Sequence, residues 1–212
     1  MIDYSLYLVT DRTHFSKEEF LSIIVAACQH GITLIQLREK DITTIEYVNW
    51  ARDVKQITDN YGVPLIINDR VDVCMAVDAS GVHIGPEDLP VKEARKIIGE
   101  DKILGVSAND VPAAISAYKD QADYIGVGSI FKKNQPVERQ MAALKQLKSI
   151  VTDIPIPVVA IGGLTETNLY LLRDSGVAGV AMISEIMQSS NVTEKTKQLR
   201  RSIQLMKGGI YH

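Results

Sequence analysis

Gln36, Arg38 and Lys40 alternate along one short run, and an extended backbone sends every second side chain to the same face. An amide, a guanidinium and an ammonium then share one surface. Arginine presents a planar fork and lysine a compact charge, so the pair suits a phosphorylated or pyrophosphorylated ligand. The competing structural reading is an ion-pair network with the neighbouring Glu39 and Asp41. Asp69 and Asp88 each follow an apolar run. Two carboxylates brought together beside cations suit Mg²⁺, which keeps several waters and takes one or two carboxylates plus phosphate oxygens. Against this, Asp88 taken alone reads as the cap of a helix beginning near Pro90. Gly162-Gly163 and Ser184 follow two later apolar runs, where backbone N–H groups can approach an anion closely.

Other candidates carry less. His83 lies inside an apolar run and reads as a hydrogen-bonded structural histidine. His14, His30 and His212 have no nucleophile or carboxylate pattern that would make a triad. Trp50 and the tyrosines are scattered and form no stacking platform for bases. The charged stretch Lys195–Lys207 reads as the solvated face of the last helix. Cys28 and Cys74 have no partner at metal-ligand spacing and read as reduced core residues.

The elements that must position these residues recur along the whole chain. Eight runs rich in Val, Ile and Leu read as strands: Ser5–Thr10, Ile32–Leu37, Pro64–Asn68, Gly81–Ile84, Lys102–Val106, Tyr124–Val127, Pro157–Ile161 and Gly179–Ile183. Their repeat of roughly 25 residues is near the minimum for a strand, a crossover helix and two loops. Ser16-x-x-Glu19 and Thr43-x-x-Glu46 read as capping boxes at helix starts. Ile45, Val48, Ala51, Val54 and Ile57 predict one apolar stripe, and Met141, Leu144, Leu147 and Val151 another, each facing the sheet. Gly31, Gly62, Gly99 and Gly176 are expected to close helices in left-handed conformation.

No composition shift divides residues 1–212, so one domain is expected, a single (β/α)₈ TIM barrel of the α/β class. The rival is an open doubly wound sheet, but no G-x-G-x-x-G follows the first strand. The 212 residues carry 23 Lys and Arg against 26 Asp and Glu, a net charge of −3 without a basic block, which argues against a nucleic-acid partner. No apolar run reaches the roughly 18 residues of a bilayer span, and Asp3, Asp11 and Arg12 interrupt any secretory segment. A cytoplasmic chain with small phosphorylated substrates is expected, and a homo-oligomer is compatible with the sequence.

Taken together, Leu6-Tyr7-Leu8-Val9-Thr10-Asp11, Gln36-Leu37-Arg38-Glu39-Lys40, Ile67-Asn68-Asp69-Arg70, the run from Gly81 to Pro90, Gly105-Val106-Ser107, Ala160-Ile161-Gly162-Gly163 and Ile183-Ser184 resemble the thiamine phosphate synthase family. The match runs from the first strand to the eighth. The resemblance implies a barrel enzyme joining hydroxymethylpyrimidine pyrophosphate to hydroxyethylthiazole phosphate with Mg²⁺. In that family pyrophosphate is thought to leave first, and the thiazole nitrogen attacks the remaining pyrimidine-methyl cation.

By the same resemblance, Gln36, Leu37, Arg38, Glu39, Lys40, Asn68 and Ser107 would bind the pyrimidine pyrophosphate. Arg38, Lys40, Asn68 and Ser107 would take catalytic parts, and Asp69 and Asp88 would hold the metal. Gly163, Ile183 and Ser184 would bind the thiazole phosphate. After the sixth strand the family carries Pro-Thr-x-Thr-Lys, where this chain reads Lys132-Lys133-Asn134-Gln135-Pro136. Lys132 or Lys133 is expected to supply the loop cation, with Lys133 in the binding set. The related thiazole tautomerase uses a histidine where this chain has Asn109. A non-catalytic barrel that binds thiamine intermediates is the third reading.

Overall fold

The computed structural model describes residues 2–132 and 134–208. Eight parallel strands close into a barrel in chain order: β1 (Leu6–Val9), β2 (Leu34–Leu37), β3 (Leu65–Asn68), β4 (Gly81–Ile84), β5 (Ile103–Ser107), β6 (Tyr124–Gly128), β7 (Val158–Ile161) and β8 (Gly179–Met182). Tyr7 pairs with Ala181 where β8 meets β1, so the sheet has no edge. The strands are mostly trimmed by a residue or two from the sequence expectation, while β5 and β6 each run one residue further, to Ser107 and Gly128.

Period-two alternation splits the core into two layers. Tyr7, Val9, Leu34, Ile66, Tyr124, Val159 and Ala181 fill the barrel. Leu6, Leu8, Ile35, Leu37, Leu65 and Ile67 face outward beneath the helices. Six helices follow the first six strands: α1 (Lys17–Gln29), α2 (Thr44–Tyr61), α3 (Val71–Val77), α4 (Val91–Ile98), α5 (Val111–Lys119) and α6 (Val137–Asp153). Both expected capping boxes form at the starts of α1 and α2. Gly62 ends α2 in the left-handed region. Gly31, Gly99 and Gly176 also have positive φ, but Gly99 has ψ −172° and lies outside the left-handed helical well.

Two expected stripes are corrected. Ile45 is 64% exposed and Met141 65%, although their neighbours Val48, Ala51, Val54 and Leu147 are buried. A three-residue step falls short of a full helical turn by about 60°, so the face drifts around the helix and Ile45 ends about 130° from the buried centre. The helix expected after β7 is also replaced. Asn168 accepts from Thr165 N–H and donates to the Gly163 carbonyl, both at 2.9 Å, and a 3₁₀ turn at Leu169–Leu172 follows. That polar turn takes residues an α-helix would need, and the longer rise per residue of the 3₁₀ turn covers the return in fewer. After β8 come a one-turn helix, α7 (Ser184–Met187), and α8 (Val192–Met206). Lys195 on α8 is not a purely solvated residue, because it pairs with Glu166 and Glu185. Cys28 and Cys74 are buried and unpaired. Among the described residues no helix is long and apolar enough to cross a membrane.

Candidate functional site

Specific contacts stiffen the C-terminal mouth of the barrel where the first three strands end. Thr10 extends the β1–β2 ladder: its N–H donates to the Gln36 carbonyl at 2.9 Å and its hydroxyl accepts from Arg38 N–H at 3.1 Å. Tyr47 on α2 reaches up to the next pair of ends. Its hydroxyl donates to the Leu37 carbonyl at 2.7 Å and accepts from Asn68 N–H at 3.2 Å. The backbone flanking Arg38 and Asn68 is therefore pinned from below.

A cavity of about 150 Å³ opens in this mouth, lined by Gln36, Arg38, Asn68, Ser107 and Ile183 together with Tyr7, His83 and Tyr124. Gln36 and Arg38 share it as the period-two spacing predicts, whereas Lys40, the third residue of that run, is not among its lining residues. Leu37 does not, since the same alternation buries it in the outer layer. Glu39 is turned away as well: its carboxylate accepts from Arg12 Nε at 2.6 Å, and its side chain is 3% exposed. Burial raises the Glu39 carboxyl above its ordinary range, and the Arg12 guanidinium lowers it again without cancelling the effect. Arg12 itself lies over the Trp50 ring, 4.9 Å from its centre.

The competing reading, an ion-pair network of Arg38 and Lys40 with Glu39 and Asp41, is not what forms. Among the described residues neither cation makes an ion pair. Asp69 sits at the centre of a tight turn with φ 62°, where Arg70 N–H donates to the Asn68 carbonyl at 2.7 Å and Asp69 N–H to the His83 carbonyl at 2.8 Å. Burial, and then the adjacent Asp88 carboxyl, push the Asp69 carboxyl up to about 6, against the opposing pull of Lys40 and Arg38. Asp88, Lys40 and Arg38 thus all act on the Asp69 carboxyl.

Asp88 does not cap a helix. Its Oδ2 accepts from Gly85 N–H at 2.6 Å and closes the Gly85–Asp88 turn, while α4 starts after Pro90 without a side-chain cap. The same carboxyl lies near enough to Asp69 to raise it. Two hard carboxylates, Asp69 and Asp88, with Lys40 and Arg38 acting on the first of them, are a donor set suited to Mg²⁺.

On the far side of the mouth, Gly163 follows β7 with φ 67°, and a Cβ there would lie 1.6 Å from the Phe131 carbonyl oxygen. Only glycine fits. Ser184 opens α7 directly after Ile183, and the first amides of a helix have no helical acceptor. Lys133 lies outside the described residues. Lys132 is placed by its N–H, which donates to Gln135 Oε1 at 2.9 Å, and it lines a separate cavity with Asn109, Ser129 and Gln135. Asn109 holds the β6 end, its Oδ1 accepting from Gly128 N–H at 3.0 Å.

His83 is a hydrogen-bonded interior residue, as expected, but its partners were not foreseen. Nε2 lies 2.9 Å from Ser107 Oγ and Nδ1 2.9 Å from the Tyr124 hydroxyl. A serine against a histidine invites a nucleophile–base reading. The surroundings of His83 argue against it. Burial lowers the His83 imidazole to about 4, and Nδ1 meets a phenol whose own ionisation is pushed well above its usual range rather than a carboxylate. His83 therefore stays neutral and does not activate Ser107. Tyr7 and Tyr124 escaped sequence reasoning because their strands, β1 and β6, meet only through barrel closure. The available signal was glycine inside β5 and β6, at Gly105 and Gly126, since such glycines mark close approach.

A thiamine monophosphate synthase family model matches residues 6–186. A thiamine-phosphate synthase of Lacticaseibacillus paracasei is 48% identical over 201 residues, covering 95% of this chain and 94% of that protein. One from Enterococcus faecalis is 49% identical over 201 residues, with 95% of each chain covered. The solved thiamine phosphate pyrophosphorylase of Pyrococcus furiosus superposes with a TM-score of 0.87 at 36% identity, over 98% of both chains.

Proposed function

The chain belongs to the thiamine monophosphate synthase family and has its transferase function, the coupling of a pyrimidine to a thiazole moiety; on that premise we propose how its own residues divide the work. Hydroxymethylpyrimidine pyrophosphate enters the cavity between Gln36, Asn68 and Ser107, with its diphosphate against Arg38 and Lys40. Hydroxyethylthiazole phosphate lies on the other side, its phosphate at the backbone of Gly163 and Ser184 and its ring against Ile183. Asp69 and Asp88 would hold Mg²⁺, which when bound supplies charge neutralisation to the diphosphate oxygens.

The bond between the pyrimidine methylene carbon and the diphosphate oxygen breaks with both electrons going to oxygen. Arg38 and Lys40 face the charge that grows there, and such preorganised stabilisation is commonly the largest catalytic contribution. The thiazole nitrogen lone pair then forms the new carbon–nitrogen bond, and pyrophosphate departs. No protein nucleophile or base takes part, in keeping with a His83 that stays neutral. The cavity walls shield the cation from water. These charged substrates do not cross a bilayer unaided, and the reaction is assigned to the cytoplasm.

The observation that carries this reading is that Asp88, Lys40 and Arg38 all act on the Asp69 carboxyl, next to the cavity that Arg38 lines with Gln36 and Asn68. Purified protein given both substrates and Mg²⁺ should release thiamine phosphate and pyrophosphate one for one, and Arg38→Ala should lose about 10²-fold or more in kcat. Turnover unchanged in Arg38→Ala would refute the division of roles. The tautomerase reading is not favoured, since Asn109 carries no titratable proton and is tied to Gly128.

A further inference from the structure

Five polar side chains from β1, β2, β4, β5 and β6 touch end to end through the barrel interior. Gln36 Nε2 donates to the Tyr7 hydroxyl at 2.8 Å, and the Tyr7 and Tyr124 hydroxyls are 2.9 Å apart. Tyr124 Oη meets His83 Nδ1 at 2.9 Å, and His83 Nε2 meets Ser107 Oγ at 2.9 Å. Gln36, Tyr7, Tyr124 and His83 are buried, and all five side chains border the cavity, with Gln36 and Ser107 as the two ends of the chain. Two strand glycines make room. A Cβ at Gly105 would lie 2.2 Å from Tyr124 Cζ, and one at Gly126 3.0 Å from His83 Cε1. Glycine weakens a strand interior, so plain filling of the barrel does not account for this arrangement.

Each hydroxyl and the neutral imidazole has a single proton to donate. With the Gln36 amide donating to Tyr7, and the Tyr7 proton spent on its one other partner instead of being left unpaired, the order along the chain follows. Tyr7 donates to Tyr124, Tyr124 to His83 Nδ1, and His83 Nε2–H to Ser107 Oγ. The Ser107 proton is left for the cavity, and Gln36 Oε1 faces it as an acceptor. If Gln36 instead turned its oxygen to Tyr7, every bond would reverse and both ends would exchange character. One end therefore offers a donor only when the other offers an acceptor.

We propose that Gln36, Tyr7, Tyr124, His83 and Ser107 form a polarity relay that couples the two sides of the pyrimidine pocket, with Tyr7, Tyr124 and His83 as positioning residues. It selects a heteroaromatic ring that presents an N–H donor toward Gln36 and a lone-pair nitrogen toward Ser107. This rests on the pocket taking the pyrimidine substrate, but the relay itself exists without ligand.

The test is the His83 tautomer, read by ¹⁵N NMR on ligand-free protein. Wild type should carry the proton on Nε2. Gln36→Glu, whose carboxylate only accepts, should move it to Nδ1, and the added Tyr124→Phe change should abolish any response of His83 to residue 36. A wild-type proton on Nδ1, or the same tautomer in wild type and Gln36→Glu, overturns the proposal. Should Gln36→Glu not fold, Tyr124→Phe alone should raise KM for the pyrimidine pyrophosphate about three- to ten-fold and leave KM for the thiazole phosphate unchanged; unchanged or equally shifted KM values overturn it. A tautomer that switches in protein without coupling activity supports the relay and refutes the functional reading.

Discussion

Arg12 Nε donates to Glu39 Oε2 at 2.6 Å, bridging the loops that follow β1 and β2 with a carboxylate that is almost wholly buried and a guanidinium that is about one-third exposed. This pair anchors the run carrying Arg38 and Lys40, because Glu39 separates them and is fixed while they project outward. Removing Arg12 strands a buried charge. Arg12→Ala should destabilise the fold by about 3 kcal/mol in urea denaturation, while Arg12→Ala with Glu39→Leu should recover most of the loss. A double variant no more stable than Arg12→Ala would show that the pair's contribution is packing of Arg12 on Trp50 instead.

Tyr47 supports the neighbouring strand ends through its hydroxyl alone. Tyr47→Phe keeps the ring and leaves the Leu37 carbonyl and Asn68 N–H without their partner. The expected loss is about 1–3 kcal/mol of stability. Because Arg38 and Asn68 sit one residue from or at those contacts, kcat should fall about ten-fold as well, a loss of the size expected when positioning slips. Steady-state kinetics beside thermal melts would check both.

The parts of this architecture that were legible in the sequence are those set by local pattern. Alternation placed Gln36 and Arg38 in one cavity and, applied consistently, also expels Leu37 and explains why Glu39 turns to Arg12. Capping boxes at Ser16 and Thr43 depend only on residues three apart, and both formed. What failed depended on phase or on distance in the chain. The stripe through Ile45 ignored helical drift, and Asp88 serves a turn instead of a helix because Pro90 intervenes. The Tyr7–Tyr124 contact joins residues 117 apart, and no local pattern encodes it.

Asp69 gives the site a pH dependence with a definite sign. Its folded value, about 6, lies above that of an unfolded chain near 3.8, so the folded state favours the proton. The stability tied to that proton is fully present below about 3.8 and is lost as pH rises through about 6. In metal-free protein at pH 7, Asp69→Asn should therefore raise stability by about 1 kcal/mol, after allowance for solvent screening of a half-exposed carboxyl. Asparagine also tolerates the positive φ at this position. Mg²⁺ held at the proposed Asp69 site would compete with the proton, so its affinity in wild type should fall as pH drops below about 6. Calorimetric titration at pH 5 and 7.5 would check this, and equal affinities would remove Asp69 from the metal site.

Gly163 ties the mouth after β7, the side proposed for the thiazole phosphate, to the loop after β6. Its φ of 67° is strained for any residue with a Cβ, and that Cβ would meet the Phe131 carbonyl oxygen, an atom held by the backbone. Phe131 N–H in turn donates to the Gly162 carbonyl at 2.9 Å, so the two segments cannot separate without losing that bond. Gly163→Ala should thus push the Phe131 segment and Gly163 apart and lower stability by about 1–3 kcal/mol. The amide proposed to meet the thiazole phosphate moves with it, while Arg38 and Lys40, across the barrel, stay in place. KM for the thiazole phosphate should rise at least ten-fold with KM for the pyrimidine pyrophosphate nearly unchanged. Equal rises in both would mean that the variant disturbs the whole mouth and that Gly163 has no particular tie to the thiazole side.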